Sequence, residues 1–290
     1  MKKYLFVINP VSGGTDKEQL ISELKNTFCN DKIAFMYTTG TDDSETLDQE
    51  IKSFQPDVVG IAGGDGTINQ LVITVAKNDK TLAIIPSGSA NGLATDLGIN
   101  LENVSAIMKA DHTLMMDIIL INDLPMIHMA DLGLNASLIK RYEQEERRGF
   151  LGYAVSAIQE LPNINQQFEV SIESGDYQVK THTSFLVIAN SRRYGTGYLI
   201  NPKGQINDGL FELCMMKELS PDSIFSSLFN EESNDNQNSI FEVQSVSSAT
   251  IKLKQATNFQ IDGEYMGTAS TLHIRRHLTP VKVLTPPEDY

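Results

Sequence analysis

The first 121 residues alternate apolar runs with amphipathic segments. The apolar runs predict strands near residues 3–9, 32–38, 57–62, 81–86 and 113–121. Apolar residues at helical spacing predict helices near residues 16–28, 43–53, 67–77 and 101–109. Strands separated by helices indicate a parallel sheet covered on both faces, so we expect a ligand at the carboxyl ends of its strands.

The pattern changes after residue 122. A helical pattern covers residues 136–161, and strand-like runs follow at 166–173, 177–190, 206–216, 240–254 and 258–261. Consecutive strands without intervening helices predict an antiparallel second domain. The polar tract at residues 230–238 is typical of a flexible loop.

Composition narrows the functional classes. A chain of 290 residues with 41% hydrophobic content can build two domains with their own cores. Its net charge of −14 argues against a nucleic-acid partner and gives no general attraction to anionic membranes. Cys29 and Cys214 need no oxidising compartment, and no signal-like start or long apolar run is seen, so we expect a cytoplasmic protein. The five histidines show no metal-ligand spacing.

The most informative stretch is a strand that ends in Gly63-Gly64-Asp65-Gly66 and leads into a helix. The glycines allow main-chain N–H groups to approach a ligand, and a helix N-terminus favours phosphate. Asp65 would repel a bare phosphate but can hold a divalent cation, which favours ATP with Mg²⁺. The alternative is a tight turn in which Asp65 only caps the helix.

This glycine-rich stretch matches neither of two familiar phosphate motifs. Asn69 stands where a dinucleotide fingerprint needs its third glycine, and the Lys followed by Ser or Thr of a P-loop is absent. We therefore expect backbone dipoles and a metal to hold the phosphates, with little help from a dedicated lysine.

A second apolar strand ends in Pro86-Ser87-Gly88-Ser89-Ala90-Asn91. Ser89 and Asn91 offer short hydrogen-bonding groups, so this turn could supply the facing half of a nucleotide crevice. The spacing does not fit an esterase nucleophile elbow. By itself, the turn is equally well explained as a helix cap.

These turns belong to a series of short motifs that spans nearly the whole chain. The motifs are, in order, Asn9-Pro10-Val11-Ser12-Gly13-Gly14, Gly63-Gly64-Asp65-Gly66-Thr67, Pro86-Ser87-Gly88-Ser89-Ala90-Asn91, Ala189-Asn190 with Gly195 and Gly197, Asn207-Asp208-Gly209-Leu210, and Ile261-Asp262-Gly263-Glu264. Their order and spacing resemble the catalytic domain of diacylglycerol kinases and sphingosine kinases. The similarity is greatest to the soluble bacterial lipid kinases.

The resemblance implies both a fold and a reaction. The expected fold is a three-layer parallel-sheet α/β nucleotide-binding domain (residues 1–121) followed by an antiparallel β-sandwich domain for the lipid (122–276). The C-terminal segment 277–290 would return a strand, Pro280 to Leu284, to the first domain. The expected reaction transfers the γ-phosphate of ATP to a lipid hydroxyl at a membrane surface, in the cleft between the domains. A homodimer is compatible with these expectations.

The resemblance also assigns residues to the nucleotide. They are Asn9, Ser12, Gly13, Thr38, Gly63, Gly64, Asp65, Gly66, Thr67, Ile68, Asn69, Ser89 and Asn91. Thr39 replaces Thr38 if the alignment slips by one position.

Four acidic residues are candidates for chemistry. Asp117 is a charge within an apolar run, where it needs a cation or hydrogen-bond donors, and it is a candidate metal ligand; the alternative is an exposed carboxylate at a strand edge. In the family, the acids of the Asp262-Gly263-Glu264 motif lie where they accept the proton of the incoming hydroxyl. We expect Glu264 to be this base, with Asp262 as its partner or alternative and Asp65 as the next candidate, although Asp-Gly is also a common hairpin turn.

The Gln205–Leu210 segment is a candidate site for a second, structural Mg²⁺. From the residues alone, a turn before a strand is the better interpretation, because one carboxylate makes a weak cation site. The resemblance favours a metal bound by the carbonyls of Gln205 and Leu210 and the side chain of Asp208.

One departure from the family puts full activity in question, and two rival functions stay open. Bacterial diacylglycerol kinases usually carry an aspartate directly after the asparagine of the third motif, and here that residue is Gly92. One rival is a kinase of a soluble substrate such as NAD. The other is a non-catalytic nucleotide-binding regulator.

Arg147 and Arg148 lie in a charged run that is typical of a solvated helix face but could also meet a lipid headgroup.

Overall fold

The computed structural model describes residues 1–14, 16–133, 167–194, 198–216 and 241–287. The chain divides into two units, Met1–Ile118 with His277–Tyr290 and Ile119–Arg276. The helix predicted at 136–161 and the loop at 230–238 lie outside the described residues, as do Gly195, Gly197, Arg147 and Arg148. Within the described ranges, no helix is both long and apolar enough to cross a bilayer.

The two units differ in their secondary structure. The first unit contains β1 (Lys3–Ile8), α1 (Lys17–Thr27), β2 (Lys32–Tyr37), α2 (Asp43–Phe54), β3 (Val58–Gly63), α3 (Asp65–Lys77), β4 (Thr81–Pro86), α4 (Gly92–Asp96), α5 (Val104–Ala110) and β5 (Thr113–Met116). The second contains β6 (Ile119–Ile121), β7 (Leu124–Met126), β8 (Met129–Gly133), β9 (Phe168–Ser174), β10 (Tyr177–Thr183), β11 (Phe185–Ala189), β12 (Arg193–Tyr194), β13 (Tyr198–Leu199), β14 (Phe211–Met216), β15 (Phe241–Val246), β16 (Ser248–Ile261) and β17 (Glu264–Arg276). The chain then returns to the first unit as β18 (Val281–Leu284).

The first unit is built on a six-stranded sheet with the order β2-β1-β3-β4-β18-β5. Strands β1 to β4 are parallel, and β18 pairs parallel with β4 and antiparallel with β5. The predicted return of the last strand to this domain is therefore confirmed. Because the chain passes from β1 to β2 and then back across β1 to β3, the strand order reverses between β1 and β3. Ligands of open α/β sheets bind at such a point.

The amphipathic pattern explains the helices of this unit. The carboxylate of Asp16 caps α1 by accepting bonds from the N–H groups of Glu18 and Gln19. Helix α3 buries one apolar face against the sheet, and that face consists of Ile68, Leu71, Val72, Val75 and Ala76.

The second unit is built on a ten-stranded antiparallel sheet, as predicted for this fold class. Its main order is β15-β14-β11-β8-β16-β17-β6-β7; β9 pairs with β16, and β10 pairs with β9. Strand β16 is long enough to pair with β9 in its first half and with β8 near its end. Side chains alternate along β8, so Ala130 and Leu132 join one hydrophobic core and Met129 joins another.

Several strand predictions need correction. The run at 177–190 is divided into β10 and β11, the runs at 240–254 and 258–261 are divided instead at residue 247 into β15 and β16, and the short strands β7 and β8 had no predicted run. The run at 113–121 is not one strand, because pairing stops at Asp117 and Ile118 and β6 begins in the second unit. Strand β17 was missed altogether. In its thirteen residues only Leu272 and Ile274 are buried, so the alternation typical of a strand is confined to one end.

Candidate functional site

The loops that follow β1 and β3 meet where the strand order reverses. The main-chain N–H of Asn9 donates to Ala62 O, and Asn9 Nδ2 donates to Thr67 Oγ1 at 2.8 Å. The first predicted motif is thus attached to the start of α3 across the reversal point. The sequence placed both residues at the nucleotide, and the fold brings them together.

Glycines let the loops after β1, β3 and β4 touch through their backbones. A Cβ on Gly13, which has φ +55°, would lie 2.4 Å from Ser87 O, and a Cβ on Gly88 would lie 2.4 Å from Gly64 Cα. A Cβ on Gly63 would meet the Thr67 side chain at 2.6 Å. Real Cβ atoms do not come so close, so these positions admit only glycine without rearrangement. The three loops form a backbone-lined cradle at the carboxyl edge of the sheet.

The start of α3 faces this set of loops without a side-chain cap. Gly64 is the N-cap residue, and it has no side chain that could accept from the N–H groups of the first turn. The N–H groups of Thr67 and Ile68 donate to Gly64 O, and the Ile68 side chain is buried in the core. Ile68 therefore shapes the turn. The first-turn N–H groups of Asp65 and Gly66 are those that a helix leaves without an intrahelical acceptor, and phosphate oxygens fit them.

Asp65 caps a helix, but a different one from its own. The N–H of Gly92 donates to Asp65 Oδ2 at 2.7 Å, and the N–H of Leu93 donates to Asp65 Oδ1 at 3.2 Å. The carboxylate is buried. It holds the start of α4, where the family usually has an acid and this chain has Gly92. One lone pair of each oxygen is thus already engaged by a main-chain N–H.

The turn after β4 is closed by Asn91. Its Oδ1 accepts from the N–H of Gly88 at 2.8 Å, and its Nδ2 donates to Gly88 O at 2.9 Å. Asn91 has φ +53°, a conformation that asparagine tolerates. Ser89 is exposed on this turn, and Ser12 Oγ lies 3.4 Å from Ser87 Oγ. Asn91 therefore shapes the loop, while Ser89 is accessible to a ligand.

Thr38 and Asn69 lie on the elements that flank these loops. Thr38 directly follows β2, is buried, and donates its N–H to Ile8 O at the end of β1. Thr39 is exposed, and its N–H donates to Oδ1 of the buried Asp43. Asn69 is half-buried in the second turn of α3.

Lys17 is the first residue of α1, and the sequence analysis did not identify it as a candidate site residue. Its Nζ donates to Ser87 O at 3.3 Å, so the side chain lies against the turn after β4. Burial lowers the pKa of its half-buried ammonium, and no carboxylate of the described residues pairs with it. Its position eight residues after Asn9 matches no phosphate motif, so no local pattern could have identified it.

In the second unit, Asp262 lies in the turn between β16 and β17. Its carboxylate accepts hydrogen bonds from three main-chain N–H groups of another segment. Its Oδ2 accepts from the N–H of Ile127 at 2.9 Å, and its Oδ1 accepts from the N–H groups of His128 and Met129 at 2.9 and 3.0 Å. Asn190 holds the same segment by donating from Nδ2 to Ile127 O. Asp262 is buried, whereas Glu264 at the start of β17 is exposed. A side chain that receives a proton needs access to its donor, and of these two acids Glu264 is the exposed one.

A network of buried hydrogen bonds connects this turn to Asp131. The N–H of Gly263 donates to Gln260 Oε1 at 2.7 Å, and Gln260 Nε2 donates to Asp131 Oδ2. Tyr194 also donates its hydroxyl to Asp131 Oδ2. Asp131 is fully buried. The conformation in which Glu264 begins β17 is thus linked to a buried carboxylate that the sequence analysis missed.

The two remaining metal predictions have different surroundings. Asp117 is buried between β5 and β6, so it is not the exposed strand-edge carboxylate of the alternative interpretation. Asp208 is exposed, and its Oδ1 accepts from the N–H of Leu210 at 2.9 Å, as in a turn. Gln205 is also exposed.

Two charged groups lie near the Asp208 turn. A Cβ on Gly209 would lie 3.5 Å from Arg276 Nη1, so a guanidinium already borders the turn. Burial raises the pKa of Glu212. The hydrogen bond from Asn201 lowers this pKa, and the negative charge of Asp208 raises it.

The described residues fit nucleotide phosphates better than they fit a protein-bound metal. The glycine-lined cradle and the uncapped start of α3 suit an anion. In the described ranges, no three His, Cys, Asp or Glu residues form a cluster that could hold a metal ion. A Mg²⁺ at this edge would rely largely on phosphate oxygens, as is usual for this ion.

Two family models match the chain in succession. Residues 3–121 match the diacylglycerol kinase catalytic domain. Residues 129–284 match the YegS C-terminal NAD kinase beta sandwich-like domain. The two models meet close to the border between the two structural units.

Two curated relatives named as lipid kinases match this chain over nearly their whole length, and a third matches it over part of its length. "Probable lipid kinase YegS-like" from Pectobacterium atrosepticum is 28% identical, over 98% of this chain and 96% of that protein. "Diacylglycerol kinase" from Bacillus subtilis is 26% identical, over 96% of this chain and 95% of that protein. An uncharacterised protein of Synechocystis is 27% identical, and the match spans 90% of this chain but 65% of that longer protein.

Solved structures share the fold. A diacylglycerol kinase from Bacillus anthracis superposes with a TM-score of 0.76 at 18% identity, over 99% of this chain and 97% of that one. An NAD kinase from Archaeoglobus fulgidus, solved in complex with ATP, superposes with a TM-score of 0.54 at 12% identity, over 98% and 94%. The chain belongs to the family of bacterial lipid kinases that join a diacylglycerol kinase catalytic domain to a YegS-type C-terminal domain.

Proposed function

We propose that this protein transfers the γ-phosphate of ATP to the hydroxyl of a diacylglycerol-like lipid. The observation that carries the proposal is the contact between the turns at Gly64 and Gly88, beside the uncapped start of α3. A backbone surface of this kind suits a chain of phosphates, because it offers N–H groups without side chains in the way.

The first unit would bind the nucleotide. The N–H groups of Asp65 and Gly66 would meet phosphate oxygens, and Thr38 and Ser89 would border the nucleotide. Mg²⁺ brought with ATP would neutralise charge on the phosphates. Asp65 would reach that ion only with the lone pairs that its bonds to Gly92 and Leu93 leave open.

The second unit would supply the proton acceptor. Phosphoryl transfer through a loose transition state asks mainly for a correctly placed nucleophile, and a base removes the proton as the new bond forms. Glu264 is suited to this role because it is exposed at the start of β17. Asp262 would have a structural role, because its carboxylate binds the main-chain N–H groups of the Ile127–Met129 segment.

The cellular setting belongs to the same proposal. We expect a cytoplasmic enzyme that reaches its lipid at a membrane surface through local contacts, because its net charge of −14 opposes general attraction to anionic lipid. A homodimer is a further expectation, which sedimentation of the purified protein would test. A structural Mg²⁺ at Asp208, Gln205 and Leu210 is also part of the proposal.

Two rivals remain open to test. A kinase of NAD has the support of the NAD kinase fold neighbour. A nucleotide-binding regulator without turnover has the support of Gly92, since a residue without a side chain stands where diacylglycerol kinases usually carry an acid.

One experiment separates these functions. Purified protein is incubated with Mg²⁺ and ATP labelled at the γ-phosphate, together with diacylglycerol, phosphatidylglycerol or sphingosine in mixed micelles, or with NAD in solution. Label in a lipid product, and its loss in Glu264→Gln, would support the proposal. Label in NAD alone would favour the first rival, and nucleotide binding without any labelled product would favour the regulator.

A further inference from the structure

We propose that Lys17 is a phosphate-binding residue, whose ammonium contacts the β- and γ-phosphates of the bound nucleotide. This inference rests on the proposed function and adds a residue that no sequence motif indicated. It also replaces the expectation that the phosphates are held with little help from a lysine.

The location of Lys17 is the first argument. Its Nζ lies 3.3 Å from Ser87 O, the carbonyl oxygen that a Cβ on Gly13 would approach to 2.4 Å. The ammonium therefore lies where the loop after β1 meets the turn after β4. An ammonium has three N–H donors, and one bond to Ser87 O leaves two for an incoming anion.

The unfavourable setting of this charge is the second argument. Lys17 is half-buried, and burial lowers its pKa, so part of its hydration is lost. It also occupies the first position of α1, where the partial positive charge of the helix end disfavours a cation. The Asp16 carboxylate that caps α1 offsets part of the charge of the helix end, but no carboxylate among the described residues forms an ion pair with Lys17.

A second lysine on the same helix shows the usual alternative. Lys25 lies in the last turn of α1, where the helix dipole favours a cation, and it is exposed with its ammonium 5.6 Å from the Phe35 ring centre. Stability alone explains Lys25 but not Lys17. A polyanion bound by the adjacent loops would offset both the burial and the helix-end repulsion, because phosphate oxygens pair strongly with an ammonium.

The test compares the affinities of Mg²⁺–ATP and adenosine by calorimetry. Lys17→Met keeps the length and apolar stem of the side chain but removes its charge, whereas Lys17→Arg keeps the charge. Lys25→Met is the matched control, because it makes the same change in net charge on the same helix. The melting temperature of each variant is measured without nucleotide, so that a folding defect is recognised.

We expect Lys17→Met to weaken Mg²⁺–ATP binding about 10- to 100-fold, as for the loss of a charged hydrogen bond. Adenosine affinity should stay within about 2-fold, because adenosine has no phosphate. Lys25→Met should match wild type for both ligands, and Lys17→Arg should bind Mg²⁺–ATP more tightly than Lys17→Met.

Two results would overturn the inference. One is a folded Lys17→Met variant with wild-type affinity for Mg²⁺–ATP, and the other is an equal loss for ATP and adenosine, which would mean that Lys17 only shapes the loops. Either result in an enzyme that still phosphorylates lipid would leave the proposed function standing. Failure of the wild-type protein to bind ATP at all would reject both.

Discussion

The two units each use a buried aspartate to hold main-chain N–H groups, but they leave different groups accessible. Asp65 holds the start of α4, 27 and 28 residues away in sequence. Asp262 holds the Ile127–Met129 segment, more than 130 residues away. The sequence analysis predicts both aspartates as candidate catalytic residues.

The difference lies in what stands beside each aspartate. The loops around Asp65 bring glycine backbones together, and the half-buried Lys17 lies against the turn after β4, so this region suits a polyanion. Next to Asp262 is the exposed carboxylate of Glu264, which suits a proton. The comparison teaches that a buried acid in a glycine turn can organise a site while its neighbours contact the ligand. Four predictions test which acids have a structural role and which contact a ligand.

Asp262→Ala should cause the largest change. It leaves three N–H groups without their acceptor, and at about 1 kcal/mol or more for each, we expect a loss of about 3 kcal/mol in the free energy of unfolding. Asp262→Asn should lose less, because one oxygen can still accept from His128 and Met129. Urea unfolding measures both variants. Glu264→Ala is the exposed control and should stay within about 0.5 kcal/mol of wild type.

Glu264→Gln should mainly affect the rate. It keeps the size of the side chain but removes its basicity, so we expect kcat to fall about 10²-fold or more with little change in nucleotide affinity. Steady-state kinetics with the lipid substrate give both quantities. If Asp262→Asn, corrected for stability, lowered kcat more than Glu264→Gln did, the roles of the two acids would have to be exchanged.

Asp65→Asn should have an intermediate effect, even without nucleotide or Mg²⁺. The new amide turns a donor toward one of the two N–H groups of α4, at a cost of about 1–2 kcal/mol in unfolding free energy. Asp16→Asn is the matched control, because Asp16 uses a single oxygen for both of its bonds and asparagine can reproduce them. A stable Asp65→Asn variant without turnover would instead assign Asp65 to the metal.

Asp208→Asn should give the smallest effect. If the Asp208 turn binds a cation, millimolar Mg²⁺ should stabilise the wild type by about 1 kcal/mol and the variant by less. Melting temperatures with and without Mg²⁺ are the measurement, with the exposed Asp176→Asn as the control for charge. Equal protection of all three proteins would remove this cation site, and Arg276 would then be the cation that borders the turn.

Most strands and helices of the first unit could be predicted from local pattern, although the short helix α4 had no predicted range and β5 ends well before the predicted run does. Strands β1 to β4 begin and end within one residue of the predicted bounds, because each is a continuous apolar run between polar turns. Strand β17 could not be predicted, since it carries polar residues and Gly267 with φ +90° within its length. Its pairing with β16 and β6 defines it as a strand.

The sequence by itself determined the order of the main elements of the first unit, the glycine turns and the family, because these depend on residues that are neighbours along the chain. Only the tertiary structure decided which acid has a structural role and which side chain is accessible. Asp65, Asp262 and Lys17 find their partners on other loops, and no local pattern records those distances. Burial separates Asp262 from Glu264, two acids that the sequence places in the same turn.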